Sequence, residues 1–166
     1  MNKIIILRGN CASGKSTTAL ELQKRFGRGN SLLISQDIVR REMLWVKDVI
    51  GNPTVELLKS LVSYGHKNCS YTILEGILYS DVYENLFNEI AKIYGNQIHA
   101  YYFDVPFEET LVRQKQRPIH NAFGEEEMLK WWREKDYIKF IPEKTINAVA
   151  MDVDEVVEMI IKDISL

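Results

Sequence analysis

Residues 4–17 read Ile4-Ile5-Ile6-Leu7, then Arg8, then Gly9-Asn10-Cys11-Ala12-Ser13-Gly14-Lys15-Ser16-Thr17. An apolar run of this length entering Gly-x-x-x-x-Gly-Lys-Ser is a strand followed by a phosphate-binding loop. The glycines let the backbone curl so that successive N–H groups converge on a phosphate. Lys15 is then placed for the β/γ oxygens of a nucleotide, and the Ser16 hydroxyl for Mg²⁺. A helix beginning near Lys15 adds the positive end of its dipole to the same point. Gly9, Asn10, Cys11, Ala12, Ser13, Gly14, Lys15, Ser16 and Thr17 are therefore the candidate nucleotide-binding residues.

The whole chain sets bounds around that loop. At 166 residues it is of single-domain size, with 46% hydrophobic and 27% charged residues, as in an average globular protein. The formal net charge is −2 and the basic residues are scattered, which disfavours a long nucleic acid as partner without excluding it. Cys11 and Cys69 are too few for a disulfide framework, and bridging Cys11 would distort the loop, so a reducing, cytoplasmic setting is expected. The run from Ile4 to Leu7 is too short for a secretion signal, and nothing approaches the roughly 20 apolar residues that span a bilayer, so no membrane role is expected. These features set no oligomeric state.

Further strands are expected at Ser31–Ser35, Tyr71–Leu74, Ile98–Phe103 and Asn147–Met151. Helices are expected at Ser16–Phe26, Asp37–Trp45, Thr54–Lys67, Val82–Tyr94, Phe107–Gln116, Glu125–Ile138 and Asp154–Ile164. Gly51-Asn52-Pro53 separates two of them, and Pro118 closes another. Together with the phosphate loop, this alternation predicts an α/β fold, a three-layer P-loop NTPase domain with a parallel five-stranded sheet and helices on both faces. One domain, 1–166, is expected, with a substrate-covering helical insert at about 38–70 and a polar, irregular segment running to Gly124. Ligands collect at the carboxyl ends of parallel strands, which groups the phosphate loop with Asp37, Glu75, Asp104 and Asp152 on one rim.

Asp37 and Arg40 are three residues apart at a helix start and share one face. A carboxylate there can take the proton of an attacking hydroxyl while Arg40 binds the acceptor or orients Asp37; the alternative is a helix cap with a surface ion pair. Glu75 ends an apolar strand, where a carboxylate can support Mg²⁺ or its waters; the alternative is a helix-capping or salt-bridging acid. Arg113 and Arg117 lie four apart on a helix entering the polar segment before Gly124; a guanidinium there can neutralise charge on a transferring phosphoryl group, and the alternative is a solvated helical face shared with Gln114, Lys115 and Gln116. Of Trp131 and Trp132, one is expected to pack into the core and the other to cover the lid or the adenine. His66, His99 and His120 are not at metal-ligand spacing.

Gly9 to Thr17, the block Ile34-Ser35-Gln36-Asp37-Ile38-Val39-Arg40, and Phe103-Asp104-Val105-Pro106-Phe107 with Arg113 and Arg117 resemble the small P-loop kinases. The blocks are similar to the kinase domain of phage polynucleotide kinase and to zeta-toxin-like and chloramphenicol-phosphotransferase-like kinases. The resemblance implies a nucleoside-kinase-like domain in which Asp37 is the general base, Arg40 contacts the acceptor, the insert at about 38–70 covers the acceptor, and Arg117 acts on the phosphates from a mobile lid at about 113–125. The leading expectation is an ATP- and Mg²⁺-dependent kinase acting on a hydroxyl of a nucleoside, sugar or antibiotic. A polynucleotide 5′-hydroxyl kinase is the rival within the class, and a nucleotide-binding switch or ATPase the rival outside it. ATP and GTP stay open as donors.

Overall fold

A computed structural model describes residues 2–118 and 123–165. Five parallel strands form one sheet: β1 (Lys3–Gly9), β2 (Ser31–Ser35), β3 (Tyr71–Gly76), β4 (Ile98–Asp104) and β5 (Glu143–Asn147), in the order β2-β3-β1-β4-β5. Alternation along β1 sends its side chains to two cores. Ile4 and Ile6 join Ile34 and Leu74 under α2 (Thr54–Asn68) and α3 (Glu84–Tyr94), with Leu58, Val62 and Phe87 filling that layer. Ile5 and Leu7 face α1 (Lys15–Phe26) and α6 (Val153–Ile164), meeting Ala19, Leu22, Val157 and Ile160. The three-layer architecture is thus the one the alternation predicts. Two shorter helices, α4 (Phe107–Lys115) and α5 (Glu125–Trp131), follow β4.

The order places β1 between β3 and β4. Register pairs Leu7 with Glu75, Ser35 with Glu75, and Gly9 with Phe103. The phosphate loop, Glu75 and the residues just past Ser35 therefore emerge side by side at the carboxyl rim, at the point where strand order reverses.

Four local expectations are corrected. The last strand is Glu143–Asn147, not Asn147–Met151. It is an edge strand paired only to β4, and Ile146 is its single buried residue, so an apolar run is not needed there. Its start is fixed by Arg8, whose fully buried guanidinium donates to both Glu143 carboxylate oxygens at 2.9 and 3.0 Å and to Asp136 at 3.1 Å. Residues 148–151 turn instead, with Ala148 and Ala150 N–H bonding back to Ile146 and Asn147.

Second, α5 stops at Trp131 and not at Ile138. The chain beyond is held as a strap by tertiary hydrogen bonds: the Tyr79 hydroxyl to the Trp131 carbonyl at 2.9 Å, and Ser80 N–H and hydroxyl to the Asp136 carboxylate at 2.8 and 2.6 Å. Third, the helix expected at Asp37–Trp45 is a short π-helical turn over Ile38–Met43, closed by Leu44 N–H to the Val39 carbonyl. Fourth, Asp152, grouped with the rim from the sequence, has its side chain engaged as the cap of α6, in a reciprocal capping box with Glu155.

Candidate active site

At the head of the loop, a Cβ on Gly9 would lie 2.6 Å from the Phe103 carbonyl, so only glycine lets β1 turn beside β4. Gly14, at φ 102°, turns the loop into α1. Lys15 curls back over the loop and donates to the Asn10 carbonyl at 2.7 Å and the Ser13 hydroxyl at 3.1 Å. Its ammonium is buried, and burial pulls its pKa below the ordinary lysine range. The neighbouring Glu75, Cys11 and Asp37 oppose that shift, while the Arg117 charge adds to it. A buried ammonium whose donors meet only the Asn10 carbonyl and the Ser13 hydroxyl can donate to phosphate oxygens.

Ser16 donates to Glu75 Oε2 at 3.0 Å, bringing together the two residues expected at the metal. Glu75 is buried at the end of β3. One hydroxyl and one carboxylate are hard oxygen donors of the kind Mg²⁺ uses when phosphates and water complete its shell. Among the described residues no cluster of three His, Cys, Asp or Glu side chains stands ready to hold a metal alone.

Asp37 does not cap the helix it begins. Its backbone is already helical, at φ −63° and ψ −40°, and its side chain makes no cap bond. Instead Asp37 Oδ1 accepts from Arg40 at 2.9 Å while the carboxylate stays half exposed. Arg40 is held in turn by the Val46 carbonyl at 3.2 Å, and its Nε stands 3.8 Å from Asp48. Behind it lies a relay that sequence reasoning missed. Gln36 donates to the Tyr83 hydroxyl at 2.8 Å, and Tyr83 donates to Asp48 at 2.6 Å. Burial raises the Asp48 pKa, against the lowering effect of the Tyr83 hydrogen bond and the Arg40 charge. Asp48 sits in an aperiodic stretch between helices, so neither spacing nor motif marks it.

Asp37, Arg40 and Asp48 line a cavity of about 540 Å³ that reaches Cys11 of the phosphate loop. Its far wall is Tyr79, Trp131 and Trp132. Neither tryptophan is a core residue: both are half-buried, Trp131 edge-on to Phe123 and Trp132 edge-on to Phe107. The loop reaches this wall through Asn10, which is bonded to the backbone of Arg133.

Arg113 bridges the loop to the last crossover, donating to the Ser13 carbonyl at 3.4 Å and the Ala148 carbonyl at 2.6 Å, with Glu109 fixing its Nε. Arg117 follows α4 and is exposed; among the described residues its guanidinium has no hydrogen bond or ion pair, though its charge reaches Lys15. The lid expected at 113–125 includes residues 119–122, which lie outside the described residues, as does His120.

No family model and no curated protein matches the chain. Solved structures do match over its whole length. A gluconokinase from Sinorhizobium meliloti 1021 superposes with a TM-score of 0.67 at 10% identity, covering 98% of this chain and 91% of its own. The Mycobacterium tuberculosis APS kinase CysC, in complex with AMPPNP and APS, gives 0.65 at 16% identity over 99% and 98%. The tunicamycin resistance protein of Deinococcus radiodurans gives 0.66 at 18% identity over 100% and 97%. The chain has the fold of the small P-loop kinases. At these identities the P-loop kinase fold is what is shared, and it sets the phosphate loop, Glu75 and Asp37 on the common rim described above. Among the described residues of this P-loop kinase fold, no helix is long and apolar enough to cross a membrane.

Proposed function

We propose that the protein transfers the γ-phosphoryl group of ATP to a hydroxyl of a small molecule. The observation that carries this reading is Asp37: a half-exposed carboxylate, oriented by Arg40, in a cavity that opens onto the phosphate loop. A nucleotide switch has no use for a base aimed into an acceptor-sized cavity. The APS kinase neighbour, solved with AMPPNP, and the gluconokinase neighbour lend support to a nucleotide donor and a small acceptor.

In this reading Asp37 accepts the acceptor's hydroxyl proton as its oxygen bonds to the γ-phosphorus. The bond from that phosphorus to the β–γ bridging oxygen breaks, and ADP leaves. Lys15 and the loop N–H groups hold the β and γ oxygens, and Arg117 neutralises the equatorial charge, an effect worth roughly 10³ to 10⁵ in rate for arginine fingers. Ser16 and Glu75 would hold Mg²⁺, which supplies charge neutralisation across the phosphates. Arg113 keeps the loop in register through Ser13.

One kinase domain then spans 1–166. Within the region 38–70, the stretch up to Val49 forms the acceptor side of the cavity, while α2 packs on the sheet. Residues 113–125 act as a lid that excludes water during transfer. The test is ADP release over a panel of hydroxyl compounds by wild type and Lys15→Ala. Acceptor-dependent turnover that vanishes in Lys15→Ala is expected; turnover indifferent to every acceptor would overturn the reading.

A further inference from the structure

The charged lining of the acceptor cavity is unequal. Arg40, Arg41, Lys47, Lys130 and Arg133 face it, against Asp37 and Asp48. Two of these cations are already engaged. Arg40 is bonded to Asp37 and stands near Asp48, while Arg133 pairs with Asp81 at 2.6 Å and covers the Tyr79 ring at 4.1 Å. Both acids are used in the same contacts.

Arg41, Lys47 and Lys130 are different. Among the described residues none of them has an ion pair, and Arg41 rests only on the Phe123 ring, 5.1 Å away. Arg41 and Lys47 come from the acceptor side and Lys130 from α5. Three uncompensated cations thus converge on one cavity from two separate parts of a chain whose net charge is −2. A general basic surface does not account for this, because the chain has no excess of basic residues to spread.

We propose that the acceptor is an anion: a hydroxyl compound that already carries a phosphate or carboxylate group, held by Arg41, Lys47 and Lys130 while its hydroxyl meets Asp37. The assignment rests on the kinase reading above and adds the charge of the substrate to it. All three are exposed, so a neutral sugar or nucleoside leaves them to solvent; an anionic acceptor receives charge-assisted hydrogen bonds that also fix which hydroxyl points at the base.

The experiment has two arms. The first measures acceptor-dependent ADP release for matched pairs, glucose with glucose 1-phosphate and with gluconate, and adenosine with adenosine 3′-monophosphate; a short 5′-hydroxyl oligonucleotide distinguishes a phosphodiester chain from a free phosphate as the source of charge. The anionic member of a pair is expected to be preferred. In the variant Arg41→Gln/Lys47→Gln/Lys130→Gln its KM is expected to rise at least about tenfold, with the larger share of the loss in KM and not in kcat. Equal use of neutral and anionic members, or an unchanged KM in the variant, overturns the proposal.

The second arm does not depend on turnover. With the phosphate loop saturated by AMPPNP and Mg²⁺, inorganic phosphate is titrated calorimetrically into wild type and the triple variant. Binding to wild type that is lost in the variant supports the anion site even if no hydroxyl compound is phosphorylated and the kinase reading falls. Absence of binding to wild type, or equal binding to both, overturns the site.

Discussion

Asn10 clasps the backbone of Arg133 at two points: its Nδ2 donates to the Arg133 carbonyl at 2.8 Å, and the Arg133 N–H donates to its Oδ1 at 3.1 Å. A side chain of the phosphate loop thereby ties that loop to the strap that follows Trp131 and Trp132 on the cavity wall. Asn10→Ala removes both bonds and leaves a partly buried peptide unit short of partners. Stability is expected to fall by about 1–3 kcal/mol. Amide hydrogen exchange at residues 131–134 should accelerate more than in α2, and unchanged exchange there would show that the clasp does not hold the strap.

Lys15 supplies a pH signature. Burial lowers its pKa in the free protein; a bound phosphate chain is expected to favour the charged form and so to raise the pKa in the complex. Between those two values binding takes up a proton, and affinity falls as pH rises through that window. Below the depressed free-protein value Lys15 is charged in both states and contributes no uptake. The sign for folding is the opposite: the depressed pKa means that the unfolded chain holds more protons between the depressed value and 10.5, so this group adds stability as pH rises there. Calorimetric titration of AMPPNP in buffers of different ionisation enthalpy at alkaline pH reads the proton count. Lys15→Met is expected to abolish this component of uptake; the same proton count in both proteins would remove Lys15 as its source.

Arg8 carries a structural prediction. Its guanidinium and the Glu143 carboxylate are both buried, with side-chain exposures of 0% and 1%. Arg8→Ala leaves the Glu143 charge uncompensated, and a loss of about 3–5 kcal/mol is expected, the usual consequence of breaking a buried pair from one side. Urea denaturation checks it. A loss below 1 kcal/mol would mean that β5 is not anchored through this pair.

The sheet was legible because β1 to β4 are short apolar runs with breakers between them, and because Gly-x-x-x-x-Gly-Lys-Ser fixes where the first strand must end. Asp37 and Arg40 were legible through their three-residue spacing beside that loop, and they meet at 2.9 Å. The errors have a common cause. The position of β5, the end of α5 and the relay of Gln36, Tyr83 and Asp48 are decided by contacts between residues far apart in the chain, as Arg8 with Glu143 and Asn10 with Arg133 show. Local periodicity carries no record of such pairs, and an edge strand with one buried residue gives it little to read.

The central claim is that Asp37 is a base aimed at an acceptor hydroxyl, and Asp37→Asn tests it most directly. The substitution keeps the side chain's size and a hydrogen-bond acceptor for Arg40 but loses the basicity, and no helix cap is lost because Asp37 makes none. Acceptor-dependent ADP release is expected to fall about 10² to 10⁴-fold, with AMPPNP affinity unchanged within about twofold. Near-equal turnover by the two proteins would contradict the account, since the phosphate loop would then have no base beside it.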